Sequence, residues 1–290
     1  MQPSVSGSAP QAALARARTL LFVPGNRPER FDKALRSGAD AVVFDLEDAV
    51  PAAAKAAARE AIAAAWPALR EAGVPLVLRI NALDQAAGSE DQAWLAALLG
   101  RGAPAGVIVP KAESAAALCA FGERFAGVAL LPLIESAAGH AAVQQIAAQP
   151  RVLRLLAGHI DFMADTGLQC SDDEVELAPL RFALAMATRL QRLAPAVDGV
   201  TAAVDDAEAL RRDTQRALRF GFGGKLCIHP RQVAVVHEAM APSAAEIDWA
   251  RRVIAADAAA GGAAVQLDGR MVDAPVVLQA RRTLARAGGA

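Results

Sequence analysis

The sequence predicts an α/β fold, a (β/α)8 TIM barrel with a C-terminal helical lid or extension, and three observations carry that prediction. Short apolar runs bounded by Gly and Pro alternate with helix-length, Ala-rich segments, the pattern of parallel strands joined by crossover helices. Eight such runs fall within roughly 210 residues, near the lower end of the usual size for this barrel. Charge is nearly absent inside the runs and gathers where they end, at Asp45, Glu47, Asp48, Arg79, Lys111, Glu135 and Asp161. Strand C-termini form the face on which such barrels build active sites. A doubly wound open sheet is the competitor, but its Gly-rich fingerprint is missing from the first turn, Pro24 to Pro28.

The strands are justified in order. Residues 19–23 form the first, closed by Pro24-Gly25, and Pro28 suits the first turn of a helix over 28–37. Strand 41–44 ends in Asp45-Leu46-Glu47-Asp48 and an Ala-rich helix spans 52–70. Strand 76–78 carries Arg79 and Asn81 at its exit, with a helix over 90–99, and strand 106–109 stops at Pro110-Lys111 before a helix over 114–125. Strands 130–134 and 152–156 flank another helix-length segment, and helix 178–193, strand 196–198, helix 205–220 and strand 225–228 complete the barrel. Residues 1–18, rich in Ser, Ala, Gln and Arg, read as a disordered tail, 19–242 as the catalytic barrel, and 243–290 as an extension serving as lid or oligomerisation element. That extension holds a helix over 243–259, a Gly261-Gly262 break, an Asp268-Gly269 turn and a helix over 275–287.

The centre of the chain twice ends an apolar run on an acid, at Glu135 and, through Gly158, at Asp161. Neighbouring strands lie about 4.8 Å apart, so both carboxylates can reach one point beyond the sheet. Two acids there repel unless a cation or proton lies between them, and Mg2+ takes one or two carboxylates, completing its shell with water and substrate oxygens. The simpler alternative pairs Glu135 with Lys111 and makes Asp161 the cap of a following turn.

Lys+Arg 30 against Asp+Glu 31 leaves a formal charge of −1, so no global field points to nucleic acid or an anionic membrane. No charge-free apolar run reaches the ~18 residues of a transmembrane helix, and a soluble protein is expected. Cys119, Cys170 and Cys227 are widely spaced and form no CxxC pair, which fits a reducing cytoplasm and argues against structural zinc. The start of the chain has no apolar core of a secretory signal.

The motifs LLFVPGNRPERFDKA, VVFDLEDAV, LRIN, VPKAES, LPLIES, GHIDFMADTG, GFGGKLCIHPRQV and GRMVDAPVV resemble, in order and spacing, the citrate lyase β-subunit-like branch of the HpcH/HpaI aldolase and citrate lyase family. The resemblance runs from about Thr19 to Ala285. It implies a barrel that cleaves or forms a carbon–carbon bond in a β-hydroxyacyl thioester of the citryl, malyl or citramalyl type, with Mg2+ held at Glu135 and Asp161. It also implies that Arg79 grips a substrate carboxylate and that the chain is a homo-oligomer, a trimer. Asp273 falls where related acyl-CoA lyases place an acid that reaches a neighbouring subunit's site. His159 departs from the family, which has a small or acidic residue there more often.

Given that chemistry, Arg79 suits a carboxylate because its planar, permanently charged fork makes two parallel hydrogen bonds. Asp273 suits proton transfer at the enolate carbon, or else caps the last helix. Glu47 and Asp48 orient metal-bound water or Arg79. Arg27, Arg30 and Lys33, on a loop and first helical turns, suit the phosphates of coenzyme A or form a solvated helix face. Gly221 to Lys225 precedes a strand rather than following one, so it reads as a turn on the stable face and not as a phosphate loop. The thioester carrier is either coenzyme A or an acyl carrier protein, the latter if the chain is the β subunit of a larger complex. Two further alternatives are a Schiff-base aldolase using Lys111 and a synthase or thioesterase using the same enolate chemistry.

Overall fold

Period-2 alternation sends one set of strand side chains inward. Leu20, Val43, Val77, Ile108, Leu131, Leu156, Val197 and Leu226 meet there in one apolar cluster, all buried. In the computed structural model, which describes residues 8–288, eight parallel strands close in sequence order into a barrel. They are β1 (Thr19–Pro24), β2 (Ala41–Asp45), β3 (Leu76–Arg79), β4 (Gly106–Val109), β5 (Ala129–Ile134), β6 (Leu156–Ala157), β7 (Val197–Asp198) and β8 (Gly224–Cys227). The helices follow as α1 (Ala9–Arg16), α2 (Phe31–Leu35), α3 (Lys55–Glu71), α4 (Ala86–Leu99), α5 (Ala115–Arg124), α6 (Ala137–Ala141), α7 (Val143–Ala147), α8 (His159–Thr166), α9 (Ala178–Leu190), α10 (Ala207–Arg219) and α11 (Arg231–Met240). The predicted barrel is therefore present with its strands in the predicted order.

Helix α3 shows how the outer layer attaches. Ala58, Ile62, Trp66 and Leu69 recur at helical spacing and are buried. Trp66 packs edge-on against Phe44 of β2 and donates its indole N–H to the Gly102 carbonyl at 2.8 Å. Among the described residues no helix is long and apolar enough to cross a membrane.

Three expectations are corrected. Residues 9–16, assigned to a disordered tail, form α1, and its Leu14 is fully buried. The reason lies far along the chain: the buried guanidinium of Arg154 donates to the carbonyls of Leu14 (3.0 Å) and Ala17 (2.6 Å) and to that of Pro195 (2.7 Å). The bond to Ala17 adds a donor at the helix end, and that to Leu14 supplements the Ala17 N–H, which already donates to the same carbonyl at 3.2 Å. Residues 1–7 of the expected tail lie outside the described residues.

The same arginine interrupts the sixth strand. Val152 makes only an isolated bridge with Leu130, and the ladder resumes at Leu156–Ala157. Finally, the helix expected over 90–99 begins at Ala86. Asp91 in that helix is buried and accepts from the Asn81 backbone N–H and side-chain amide, both at 2.7 Å, and from Arg59 Nε at 2.6 Å.

The chain divides into two compact units, one ending at His237 and one beginning at Glu238, five residues earlier than the expected barrel boundary. The second unit contains α12 (Ala244–Ala259), the hairpin β9 (Val265–Leu267) and β10 (Arg270–Val272), and α13 (Ala274–Ala287). Its own small core joins Ala250, Val253, Val272, Val277 and Ala280. Ser243 and Glu246 form a capping box at the start of α12.

Candidate active site

Sheet register brings the first two site residues together, since Asp45 and Arg79 are paired neighbours at the ends of β2 and β3. Arg79 Nε and Nη2 donate to the two Asp45 carboxylate oxygens at 2.7 and 2.6 Å, a bidentate bond. Asp45 also accepts from the N–H groups of Glu47 (2.9 Å) and Ala49 (3.3 Å). Those bonds curl the loop after β2 so that Glu47 Oε2 comes 2.7 Å and Asp48 Oδ2 3.5 Å from Arg79 Nη1. The guanidinium lies 4.8 Å from the centre of the Phe22 ring.

Arg79 thus differs from its expected role in one respect: the two parallel bonds foreseen for a substrate carboxylate go to Asp45. Nη1 is the edge turned toward Glu47 and Asp48. Burial works against the arginine's charge, but Asp45, Glu47 and Asp48 outweigh it and raise its pKa above the usual value. Glu47 behaves oppositely. Burial pushes its carboxyl up to about 8 despite Arg79, with Glu135, Asp48 and Asp45 adding to the rise.

Glu135 follows β5 and is only 3% exposed. Its Oε1 accepts from the Lys111 backbone N–H at 2.7 Å, so the residue suggested as an ion-pair partner holds it through the main chain. Lys111 itself has φ 45, the left-handed region that side chains seldom adopt. Gly158 makes room on the other side: a Cβ there would lie 2.5 Å from Glu135 Cβ and 2.6 Å from Oε2. Burial raises the Glu135 carboxyl to about 7; the Lys111 N–H opposes this, and the charge of Asp161 adds to it. Asp161 is exposed and sits in the first turn of α8 rather than on a strand-exit loop.

The other predicted residues divide. Arg27 and Arg30 are exposed on the turn after β1, with Arg27 Nε 2.6 Å from Glu29, and Lys33 is exposed on α2. Asp273 belongs to the second unit, where its carboxylate caps α13 by accepting from the Val276 N–H at 3.3 Å. The Lys111 side chain is exposed, so the desolvation that would activate a Schiff-base lysine is missing.

One participant escaped sequence reasoning. Lys55 Nζ donates to the carbonyls of Leu46 (2.9 Å) and Glu47 (3.1 Å) and to Asn81 Oδ1, which ties down the Glu47–Asp48 turn. Its only sequence signal was being the lone lysine in an Ala-rich helix. A cavity of about 450 Å³ opens beside that turn, lined by Glu47, Asp48, Lys55, Asn81, Gln85 and Lys111 among others.

The donor set discriminates among metals. Among the described residues no three His, Cys, Asp or Glu side chains converge on one point, which does not fit a structural zinc centre. Glu135 and Asp161 offer hard carboxylate oxygens in a negative environment, and a partial set of this kind fits Mg2+, which keeps several positions for water and substrate.

Residues 18–230 match the model of the HpcH/HpaI aldolase/citrate lyase family. The chain is 38% identical to a citrate lyase subunit beta-like protein of Deinococcus radiodurans, over 96% of this chain and 98% of that one. It is 33% identical to a (3S)-malyl-CoA thioesterase of Cereibacter sphaeroides, covering 93% and 94%. Among solved structures, protein CitE from Mycobacterium tuberculosis in complex with magnesium, acetoacetate and coenzyme A superposes with TM-score 0.81 at 35% identity, covering 94% of this chain and 99% of that one. With a family match that spans the whole eight-stranded barrel and a relative 38% identical over nearly the full chain, the chain belongs to the HpcH/HpaI aldolase/citrate lyase family.

Proposed function

We propose that this chain is a Mg2+-dependent carbon–carbon lyase that cleaves, or forms, a β-hydroxyacyl-CoA of the malyl, citramalyl or citryl type. The observation that carries the reading is Glu135, a carboxylate buried beside Asp161 and within the field of Arg79. A buried acid near a second acid is costly unless a cation joins it. The M. tuberculosis relative in complex with magnesium, acetoacetate and coenzyme A supports both the ion and the carrier.

Cleavage removes the hydroxyl proton, opens the C–C bond and leaves a thioester enolate and a keto acid. Glu135 and Asp161 hold the ion, whose contribution when bound is a Lewis acid worth several kcal/mol at the oxygen that gains charge. Arg79 offers Nη1 to the keto-acid carboxylate, and Asp45, Glu47 and Asp48 keep the guanidinium aimed at the mouth. Arg27, Arg30 and Lys33, at the same end of the barrel, receive the coenzyme A phosphates. Protonation of the enolate carbon falls to Asp273 of a second copy in a homotrimer. Mixed oligomers of Asp273→Asn and Arg79→Ala chains should then regain activity that neither variant has alone, and the absence of such complementation counts against a shared site. A cytoplasmic location accompanies this proposal, in keeping with three free cysteines.

The deciding assay is keto-acid release from malyl-, citramalyl-, β-methylmalyl- and citryl-CoA, with Mg2+ and with EDTA. Chelator-sensitive cleavage of one member is expected, and its absence across the panel removes the CoA lyase reading. A thioesterase is the second reading, favoured by the Cereibacter relative. It is recognised by free coenzyme A appearing with malate, without glyoxylate.

A further inference from the structure

Behind α8, between the barrel wall and helices α9 and α10, lies a cluster of charges that the proposed chemistry leaves unused. Arg181 of α9, 2% exposed, donates from Nε to Asp198 at the end of β7 (3.1 Å) and from Nη2 to Glu174 (2.5 Å). Arg216 of α10 joins Glu174 Oε2 and Asp213 Oδ1, both at 2.7 Å. Lys225 of β8, 1% exposed, donates to the Gly199 carbonyl at 2.7 Å and lies 3.6 Å from Asp198 Oδ2. Three arginine or lysine charges thus face Asp198, Glu174 and Asp213, burial that is tolerated only because each ion is paired.

The cluster grips α8 at both ends. At its start, the buried ring of His159 lies against Gly199 and 4.0 Å from Glu174 Oε1. Beyond its end, the chain returns to the cluster at Glu174, which takes the left-handed conformation (φ 49) despite having a side chain. Between those points α8 buries only His159 and Phe162. Farther along, α8 is held to α6, where Asp165 accepts from the Ala137 N–H at 2.8 Å and Phe162 meets the His140 ring edge-on; the first turn, which carries the exposed Asp161, is the part that rests on His159.

We infer that the Arg181–Asp198–Glu174 cluster, acting through His159 on Gly199, is the positioning element for Asp161 and sets the protein's affinity for its divalent cation. The inference rests on the proposed role of Asp161 as a ligand. None of these residues reaches the substrate; they determine where the first turn of α8 stands.

Gly199→Ala is the sharp probe, because a Cβ at that position would lie 2.1 Å from His159 Nδ1 and 2.9 Å from the Ala157 carbonyl, forcing the start of α8 to move. Glu174→Gln is the gentle one, removing charge without bulk, and it keeps the test available if the alanine variant does not fold. Mn2+ and Mg2+ binding to the full chain, followed by calorimetry without substrate, should weaken about 10-fold or more in both variants, about 1.4 kcal/mol for each factor of ten. At saturating metal, kcat should return to within a few-fold of the parent. A bracing role unrelated to the ion would instead lower the melting temperature and kcat together at unchanged metal affinity, and that result overturns the inference. Asp161→Ala is measured alongside. If it binds metal as well as the parent, the ligand assignment fails and the inference falls with it; if it loses metal while both cluster variants keep theirs, only the inference fails.

Discussion

Glu135→Gln is expected to lower metal-dependent keto-acid release by at least about 1,000-fold, equivalent to about 4 kcal/mol of transition-state stabilisation, while leaving the protein folded. Glutamine has nearly the same shape and keeps an oxygen for the Lys111 N–H, so the 2.7 Å bond that seats the side chain survives. What it lacks is the charge that the proposed function assigns to holding the ion. The parent carboxylate is buried, and burial together with Asp161 pushes its pKa up to about 7, so the site carries a cost in the metal-free protein that the amide avoids. The variant should therefore melt at the same temperature as the metal-free parent or higher, the usual opposition between stability and a functional site. Thermal melts in EDTA alongside the panel assay test both halves. Residual activity above a tenth of the parent, still sensitive to chelator, would remove Glu135 from the ligand set.

The second large effect is expected from Arg79→Lys. Charge is conserved, but an ammonium is a point donor and cannot span Asp45 through two parallel bonds while also reaching Glu47. Asp45, fully buried, would keep at most part of its partnership, and breaking a buried pair costs about 3–5 kcal/mol. Because the charge remains, a part of that cost is expected, a fall of about 2–5 °C in Tm for a chain of this size. Activity should fall further than stability accounts for, at least about 100-fold in kcat/KM, because the edge offered to the substrate is aimed by Asp45, Glu47 and Asp48 together. Kinetics well below Tm separate the two contributions. A lysine variant within a few-fold of the parent in both measurements would mean that Arg79 is only a long-range charge.

The strands were legible because burial on both faces leaves an apolar signature, and the run Ala129 to Ile134 is buried at every position. The sites of failure share a cause. Arg154 looks like an interruption in an apolar run, yet it is fully buried and uses its donors on backbone carbonyls of distant segments. Nothing local in residues 9–16 announces that such a donor is waiting, so α1 read as tail. Lys55 resembles any solvated lysine on an Ala-rich helix until the fold brings it to the carbonyls of Leu46 and Glu47. Glu135 was legible as a strand-exit acid, whereas Asp161 was given the right end of the barrel and the wrong local structure, because α8 starts directly after Gly158. Strand position is written locally; the partner that satisfies a buried charge is written elsewhere in the chain.

The tie between Arg154 and the first helix also bears on the order of events during synthesis. Its two bonds to the carbonyls of Ala17 and Leu14 span 137 and 140 residues. At about 5–20 residues per second, the ribosome releases α1 roughly 7–30 s before the guanidinium that will hold it. For that interval Leu14 has no barrel floor to enter, and β1 has no β8 beside it. The nascent chain must therefore carry an unpaired apolar strand edge until its last strand emerges.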